Sequence, residues 1–449
     1  MMLISFFAIL AAISPIEKGS IASNNASYDG TALRLEGEVS LEHGFGTMKA
    51  EKAVLTKERE GQDDFPFTSI ELTSAVNLML TSEAQVECEK ALLDFSTLQG
   101  TLTSPQHVHY TDFIRRENQT TPFELFSPKL DLQLIKDPQK KDIYDIEQAR
   151  AQNGVHLIYD KLYHLQTESI LFSNKIIQSD GASPCIWTYQ NDRVNAEKFD
   201  LDLVQNELFL KKAEGHLSSF SKGQVQFTAG SLCWEHTKNH LTLQGSPFVQ
   251  ESSVGTVTSQ EAIHLFLKDG VLHQLKTDGQ TTLTSLKGHR LTTYDALEVD
   301  GDAHLATISS PSKGEQLLYE EEEMTLRADK AQIHYKEEAQ GISPASVELE
   351  GRIQIYSKEK EGPSRRGIAD LLTYDPDTRT CILKAHPGRK VLFMRDQDQL
   401  RISANEVHIF YDPVSKEQQV RGVGHVTMSL SPEEQNLLNQ VFRHVPSAS

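Results

Sequence analysis

Val347-Glu348-Leu349-Glu350-Gly351-Arg352-Ile353-Gln354-Ile355 alternates with a period of two. Val347, Leu349, Ile353 and Ile355 fall on one side, and Glu348, Glu350, Arg352 and Gln354 on the other. This is the pattern of a β-strand with one buried face and one charged face. Gly351 falls on the apolar side, where it marks a bend, a bulge or a close backbone approach. Residues 324–430 run three times through the same cycle of alternating run, glycine, second run and polar turn.

The same phrase stands near the N-terminus. Leu33, Leu35, Val39 and Leu41 alternate with Arg34, Glu36, Glu38 and Ser40, and Gly37 takes the place of Gly351. Ala50-Glu51-Lys52-Ala53 matches Ala328-Asp329-Lys330-Ala331, almost 280 residues further on. Leu241-Thr242-Leu243-Gln244-Gly245 is a close echo, and 98–102, 206–217 and 285–288 are fainter ones. Two shared words in order indicate an internal repeat. The marker glycines at 215, 245 and 288 lie 30 and 43 residues apart. Such loose spacing suits rungs joined by turns of variable length, because lengthening a turn costs little.

The 449 residues suffice for two to three domains or one elongated array. A net charge of −19 spread along the chain excludes the basic stripe that nucleic-acid binders need, and argues against adhesion to an anionic membrane surface. Cys88, Cys185, Cys233 and Cys381 lie at least 48 residues apart, with no CxxC pair. They allow three pairings in an oxidising compartment and serve equally as buried thiols.

Residues 1–13 are apolar apart from Ser5, too short to span a bilayer as a helix and close to the apolar segment of an export signal. No basic residue precedes Lys18, so an export signal, a short anchor and a buried first strand stay open. Residues 63–66 and 115–128 are polar and turn-rich and read as loops. Residues 142–165 mix helical and strand periods. Tyr374-Asp375-Pro376 and Tyr411-Asp412-Pro413 each open a polar turn. Ser431-Pro432-Glu433-Glu434 starts a helix, with Ser431 as cap and Glu434 reaching back to it. Its stripe of Leu438, Val441, Phe442 and Val445 suits a lid over the open edge of the array, or a docking element.

Motif-borne chemistry is absent. Among 17 histidines, His107 and His109 share a strand face, and His236 and His240 would stand one helical turn apart, yet neither pair has a third ligand at typical spacing. There is no HExxH, G-x-S-x-G or phosphate loop. No catalytic residue, metal site or cofactor is expected.

The repeated words resemble the OstA-like family, the periplasmic lipopolysaccharide-transport proteins of Gram-negative bacteria and the N-terminal domain of their outer-membrane partner. The family's A-D-x-A-x-Y appears as Ala328-Asp329-Lys330-Ala331-Gln332-Ile333-His334-Tyr335, the tyrosine displaced by two positions. Its G-x-V element is similar to Gly37-Glu38-Val39, and to Gly351-Arg352-Ile353 with isoleucine for valine. The likeness is best over 26–55 and 324–430 and faint between. The chain is far longer than a typical bridge protein of the family and carries no stretch like the barrel of the larger partner.

The resemblance implies an all-β fold: a repeated strand array, either β-jellyroll or β-solenoid, with a short C-terminal helix. The expected organisation is a signal or anchor at 1–18, a first β region at 26–125, a divergent middle at 140–305, a jellyroll at 320–430 and the helix at 431–446. The implied activity is non-enzymatic carriage of lipopolysaccharide across the periplasm, with acyl chains held in an apolar β groove. Candidate groove residues are the inward aliphatics Leu33, Leu35, Val39, Leu41, Leu241, Leu243, Val347, Leu349, Ile353 and Ile355, which serve equally as a closed core. Implied partners are lipopolysaccharide and other envelope transport proteins, joined edge to edge through strands; a homo-oligomer is compatible, and nucleic acid is not a partner. The implied location is periplasmic, with the N-terminal segment attached to the inner membrane. A structural or adhesive cell-surface β-solenoid and a glycan-active β-helix enzyme are the alternatives.

Overall fold

A computed structural model describes residues 20–442 except 58–66, 82, 117–118, 137–143, 218–224, 253, 269–270, 311–313, 339–340, 359–363, 397–398 and 413–416. The segment 1–18, the loop expected at 63–66, Pro413 and Val445 lie outside the described residues. Strands dominate, and Pro432–Val441 is the one α-helix among the described residues. The chain divides into two compact units. One comprises the residues up to Tyr189 with Lys198–Val204; the other comprises Gln190–Glu197 and the residues from Gln205 onward.

The first unit opens as a meander of long antiparallel strands: Ala32–His43, Gly46–Thr56, Ser69–Leu80, Gln85–Asp94, Gln99–Arg116 and Gln119–Lys136. Every one of these pairings loses register near its middle, for example between Glu36 and Val39 and between Thr73 and Val76. These breaks line up as a crease dividing each strand into two arms. The last long strand then supports two short ones, Tyr144–Gln152 on its C-terminal half and Val155–Tyr159 on its N-terminal half. A rung is therefore either one creased strand or two short strands joined at the crease.

The second unit repeats the scheme. Glu207–Leu217 pairs along its length with Val225–Glu235, on which two arms begin. The first arm starts with His240–Gln244 and Ala262–Lys268, the second with Phe248–Glu251 and Gly255–Ser259. They meet again on the long strand Gly341–Lys358, which pairs with Lys330–Glu338 of the first arm and Met324–Ala328 of the second. Ser364–Asp375 follows, and the arms separate once more.

The repeated words are the crease itself. Gly351 and Arg352 both have positive φ, +80° and +42°, as do Gly37 and Glu38 at +77° and +49°. Two successive left-handed residues turn the strand from one arm into the other, and glycine removes half of the cost. The Asp329 of the partner word lies beneath Gly351. Its N–H donates to the carbonyls of Glu350 and Gly351 at 3.1 and 3.0 Å, and its carboxylate accepts from Arg352 Nε at 2.9 Å. Asn24 N–H to the Gly37 carbonyl and Asn405 N–H to the Gly424 carbonyl, both 2.9 Å, repeat the arrangement.

Two local expectations change. Residues 115–128 are strand wherever described, within Gln99–Arg116 and Gln119–Lys136. Pro128 fits because it falls in the register break between Ser127 and Lys129, where it removes no ladder bond. Residues 144–152, 155–159 and 163–167 are all strands, so the helical period there is an accident of alternation around turns. The 374–376 turn forms as expected, with Asp375 Oδ1 accepting from the N–H groups of Asp377 and Thr378 at 2.9 and 3.2 Å.

The C-terminal helix has the expected capping box between Ser431 and Glu434. It packs against the second arm and reaches its last strand, Leu400–Ala404. Ser403 Oγ donates to Glu434 Oε1 at 2.7 Å, and Phe442 approaches Tyr356 at 6.4 Å between ring centroids. Ser403 and Tyr356 alternate with the inward Ile402 and Ile355, so the helix lies on the outer face of the second arm, with Leu438 buried there.

Burial works against the Glu434 charge, but the Ser431 N–H and the Ser403 hydroxyl hold its carboxyl below the ordinary 4.5. A lowered pKa contributes stability that is present above the ordinary value and lost as pH falls through the lowered one. The helix is therefore expected to loosen in acid below about pH 4.5, seen as amide shifts of 432–441 moving toward coil values ahead of the strands. Ser431→Ala is expected to cost about 1 kcal/mol of helix stability and to bring the same loosening to a higher pH.

Candidate functional site: an apolar seam

In each unit the inward residues form rows parallel to the crease. In the second unit the row nearest the crease is closed: Leu297, Ile308, Ala331 and Leu349 of the first arm and Leu317, Ala328 and Ile353 of the second belong to one buried core. Thr277, Thr281 and Thr293 lie in the same rows and are satisfied there, Thr281 Oγ1 donating to Thr277 Oγ1 at 2.8 Å and Thr293 Oγ1 to the Ser309 carbonyl at 2.9 Å.

One residue pair further out, the rows change character. In the first arm, Leu275, Val299, Ile333 and Val347 are only half-buried; in the second, Leu283, Leu291, Leu326 and Ile355 are. They are cross-strand neighbours, Leu275 beside Val299, Ile333 beside Val347, Leu283 beside Leu291 and Leu326 beside Ile355. Tyr319 joins the second row between Leu291 and Leu326, its hydroxyl donating to Glu321 Oε2 at 3.0 Å. Burial and the Glu321 carboxylate beside it push the Tyr319 phenol well above its usual range, so it stays neutral. The result is a seam made of one half-buried aliphatic row on each arm, both packed against the closed core.

The seam is bounded. Toward the start of the unit the corresponding positions Leu241, Leu265, Phe227 and Val249 are buried. In the last strands of the second arm, Phe393 and Ile402 close the row again. The first unit differs: Leu55, Ile70, Leu93, Leu78 and Val86, one pair out from its crease, are all buried, with Phe45 packed among the largest enclosed side chains. A small apolar pocket remains there between Tyr110, Leu125, Leu130, Ile170 and Ile177.

The ten residues singled out from sequence are thereby sorted. Leu35, Val39, Leu41, Leu241, Leu243, Leu349 and Ile353 are buried core. Leu33, Val347 and Ile355 are half-buried, and the last two line the seam. Leu275, Leu283, Leu291 and Val299 escaped sequence reading because their strands are four to eight residues long and carry the repeat words only faintly, whereas Leu326 and Ile333 flank the word Ala328–Ala331 and read as part of it rather than as lining.

The cysteines are free thiols, and burial pushes Cys88 up to about 12 and Cys381 up to about 11. No cluster of three or more His, Cys, Asp or Glu side chains suited to a metal ion occurs among the described residues. No helix among them is long and apolar enough to cross a membrane. No protein-family model matches the chain, and no curated protein matches it significantly.

Proposed function

We propose that the chain is a non-enzymatic lipid carrier of the OstA-like kind, a creased β-jellyroll that holds acyl chains of lipopolysaccharide in the seam of its second unit during passage through the periplasm. The observation that carries this reading is the pair of half-buried aliphatic rows at 275–355, set above a closed core. Each methylene moved from water into such a seam gains about 0.8 kcal/mol, so a chain of about a dozen carbons gains about 10 kcal/mol. Anchoring of that size needs no catalytic group.

Strand edges support the partner reading. Asn25–Tyr28 pairs on one side with Ala32–His43, and Glu417–Val423 on one side with Glu406–Asp412; no further strand adds to either among the described residues. Such edges accept a strand from another envelope protein or a second copy. The test is photocrosslinking in cells from Ile355 and Leu326, with Ile353 as the buried control. Lipopolysaccharide adducts are expected at the first two positions only. A folded, exported protein that yields adduct at neither would overturn the carrier reading.

A further inference from the structure

On the outer face of the first arm, away from the seam, His240 and His264 meet across neighbouring strands. His240 Nε2 and His264 Nδ1 stand 3.2 Å apart, and Thr242 Oγ1 lies 3.3 and 3.2 Å from them. The opposite nitrogen of each ring faces a carboxylate: His264 Nε2 donates to Asp278 Oδ2 at 2.8 Å, and His240 Nδ1 lies 3.5 Å from Glu235 Oε2. A carboxylate only accepts, so the 2.8 Å contact places the His264 proton on Nε2 and leaves its Nδ1 as an acceptor, filled in the metal-free chain by His240 Nε2–H or the Thr242 hydroxyl. With its proton moved to Nδ1, toward Glu235, His240 turns a second lone pair toward the same point.

We infer that His240 and His264 form a two-histidine site for a borderline divalent cation of the zinc, copper(II) or nickel(II) class, with Thr242 beside it. Imidazole nitrogen suits these ions. Metal–nitrogen bonds of about 2.0–2.1 Å spanning this separation subtend an angle of about 100°, near tetrahedral. A carboxylate hydrogen-bonded to the far nitrogen, as Asp278 is on His264, is the arrangement that fixes the tautomer and raises basicity in histidine metal sites, and Glu235 stands 3.5 Å from the far nitrogen of His240. His240 is held by its stack on Phe266, with ring centroids 4.4 Å apart and planes within 4°. The nearby cations are neutralised locally, Lys238 by Glu235 at 2.8 Å and Lys276 by Glu298 at 3.1 Å. Both rings are partly exposed, which leaves the remaining coordination positions to water. The chain carries a second stacked pair, His156 and His164, 3.0 Å apart between nitrogens, but neither outer nitrogen there meets a carboxylate among the described residues. That pair is the internal control.

The full-length chain is titrated with zinc against a chromophoric chelator, and the ring nitrogens are followed by NMR. One tight equivalent is expected, weakened at least tenfold by His240→Gln and by His264→Gln and unchanged by His156→Gln, with all three variants melting as the parent does. His240 Nε2 and His264 Nδ1 should shift together on saturation. Two results overturn the site: unchanged zinc affinity in His264→Gln, or a proton shared between the two rings that zinc at millimolar concentration fails to displace.

Discussion

Ile355→Asp is expected to weaken acyl-chain binding at least tenfold while the second unit stays folded, whereas Ile353→Asp, two residues away on the same strand, is expected to unfold it. Ile353 is 0 % exposed at the floor of the core, where a carboxylate finds no partner. A charge buried in that way costs about 4 kcal/mol or more, a large share of the stability of any domain. Ile355 is half-buried beside Leu326, so its carboxylate reaches water at a cost of about 1–2 kcal/mol. It then stands in the path of any alkyl chain laid along the row. Urea unfolding and displacement of a fluorescent fatty-acyl probe separate the two effects. Equal destabilisation by both variants would show that the outer row is as closed as the inner one, and unchanged probe binding in Ile355→Asp would remove the seam from the binding path.

The second large effect is expected at a glycine. Gly46 has φ +139°, and a methyl group there would stand 2.0 Å from the Met79 carbonyl oxygen and 2.9 Å from Leu80 Cα. Both are backbone atoms of the adjacent strand Ser69–Leu80, so no side chain can swing aside. Gly46→Ala must push neighbouring strands of the meander apart or twist its own peptide, and a cost of about 3 kcal/mol or more is expected. Gly388, at φ +84° with nothing within 4 Å of an added methyl, is the comparison. Gly388→Ala bears only the left-handed conformation and should cost about 1 kcal/mol. Chemical denaturation of the two variants gives the difference directly.

What the sequence disclosed, and what it withheld, follows from the crease. Strong words occur where one strand crosses it unbroken, as at Gly37 and Gly351, because two left-handed residues and a capping Asp or Asn beneath them restrict composition tightly. Where a rung is two short strands joined at the crease, Gly245-Ser246 still keeps two positive φ values and an echo of the phrase, but 294–296 makes the join without any, and there the phrase dissolves. All-β class, alternation and the helix cap were legible for that reason, and the middle of the chain was not. The depth of each inward residue was illegible everywhere. Alternation places Ile353 and Ile355 on the same face, and only the distance from the crease separates floor from rim. The histidine pair is hidden differently: spacing along the chain sets His240 beside His236, while its actual neighbour His264 arrives from the next strand of the arm.

The crease also makes length a cheap variable. The rungs share one plan, inward side chains on two arms that meet at the crease, with left-handed residues at some of the crossings, such as Gly37-Glu38, Gly245-Ser246 and Gly351-Arg352. Antiparallel pairing passes the register from one rung to the next without reference to rungs further away, so a duplicated pair can be spliced in or lost while its neighbours keep their partners. Such a chain is extensible in the manner of a ladder, one rung at a time.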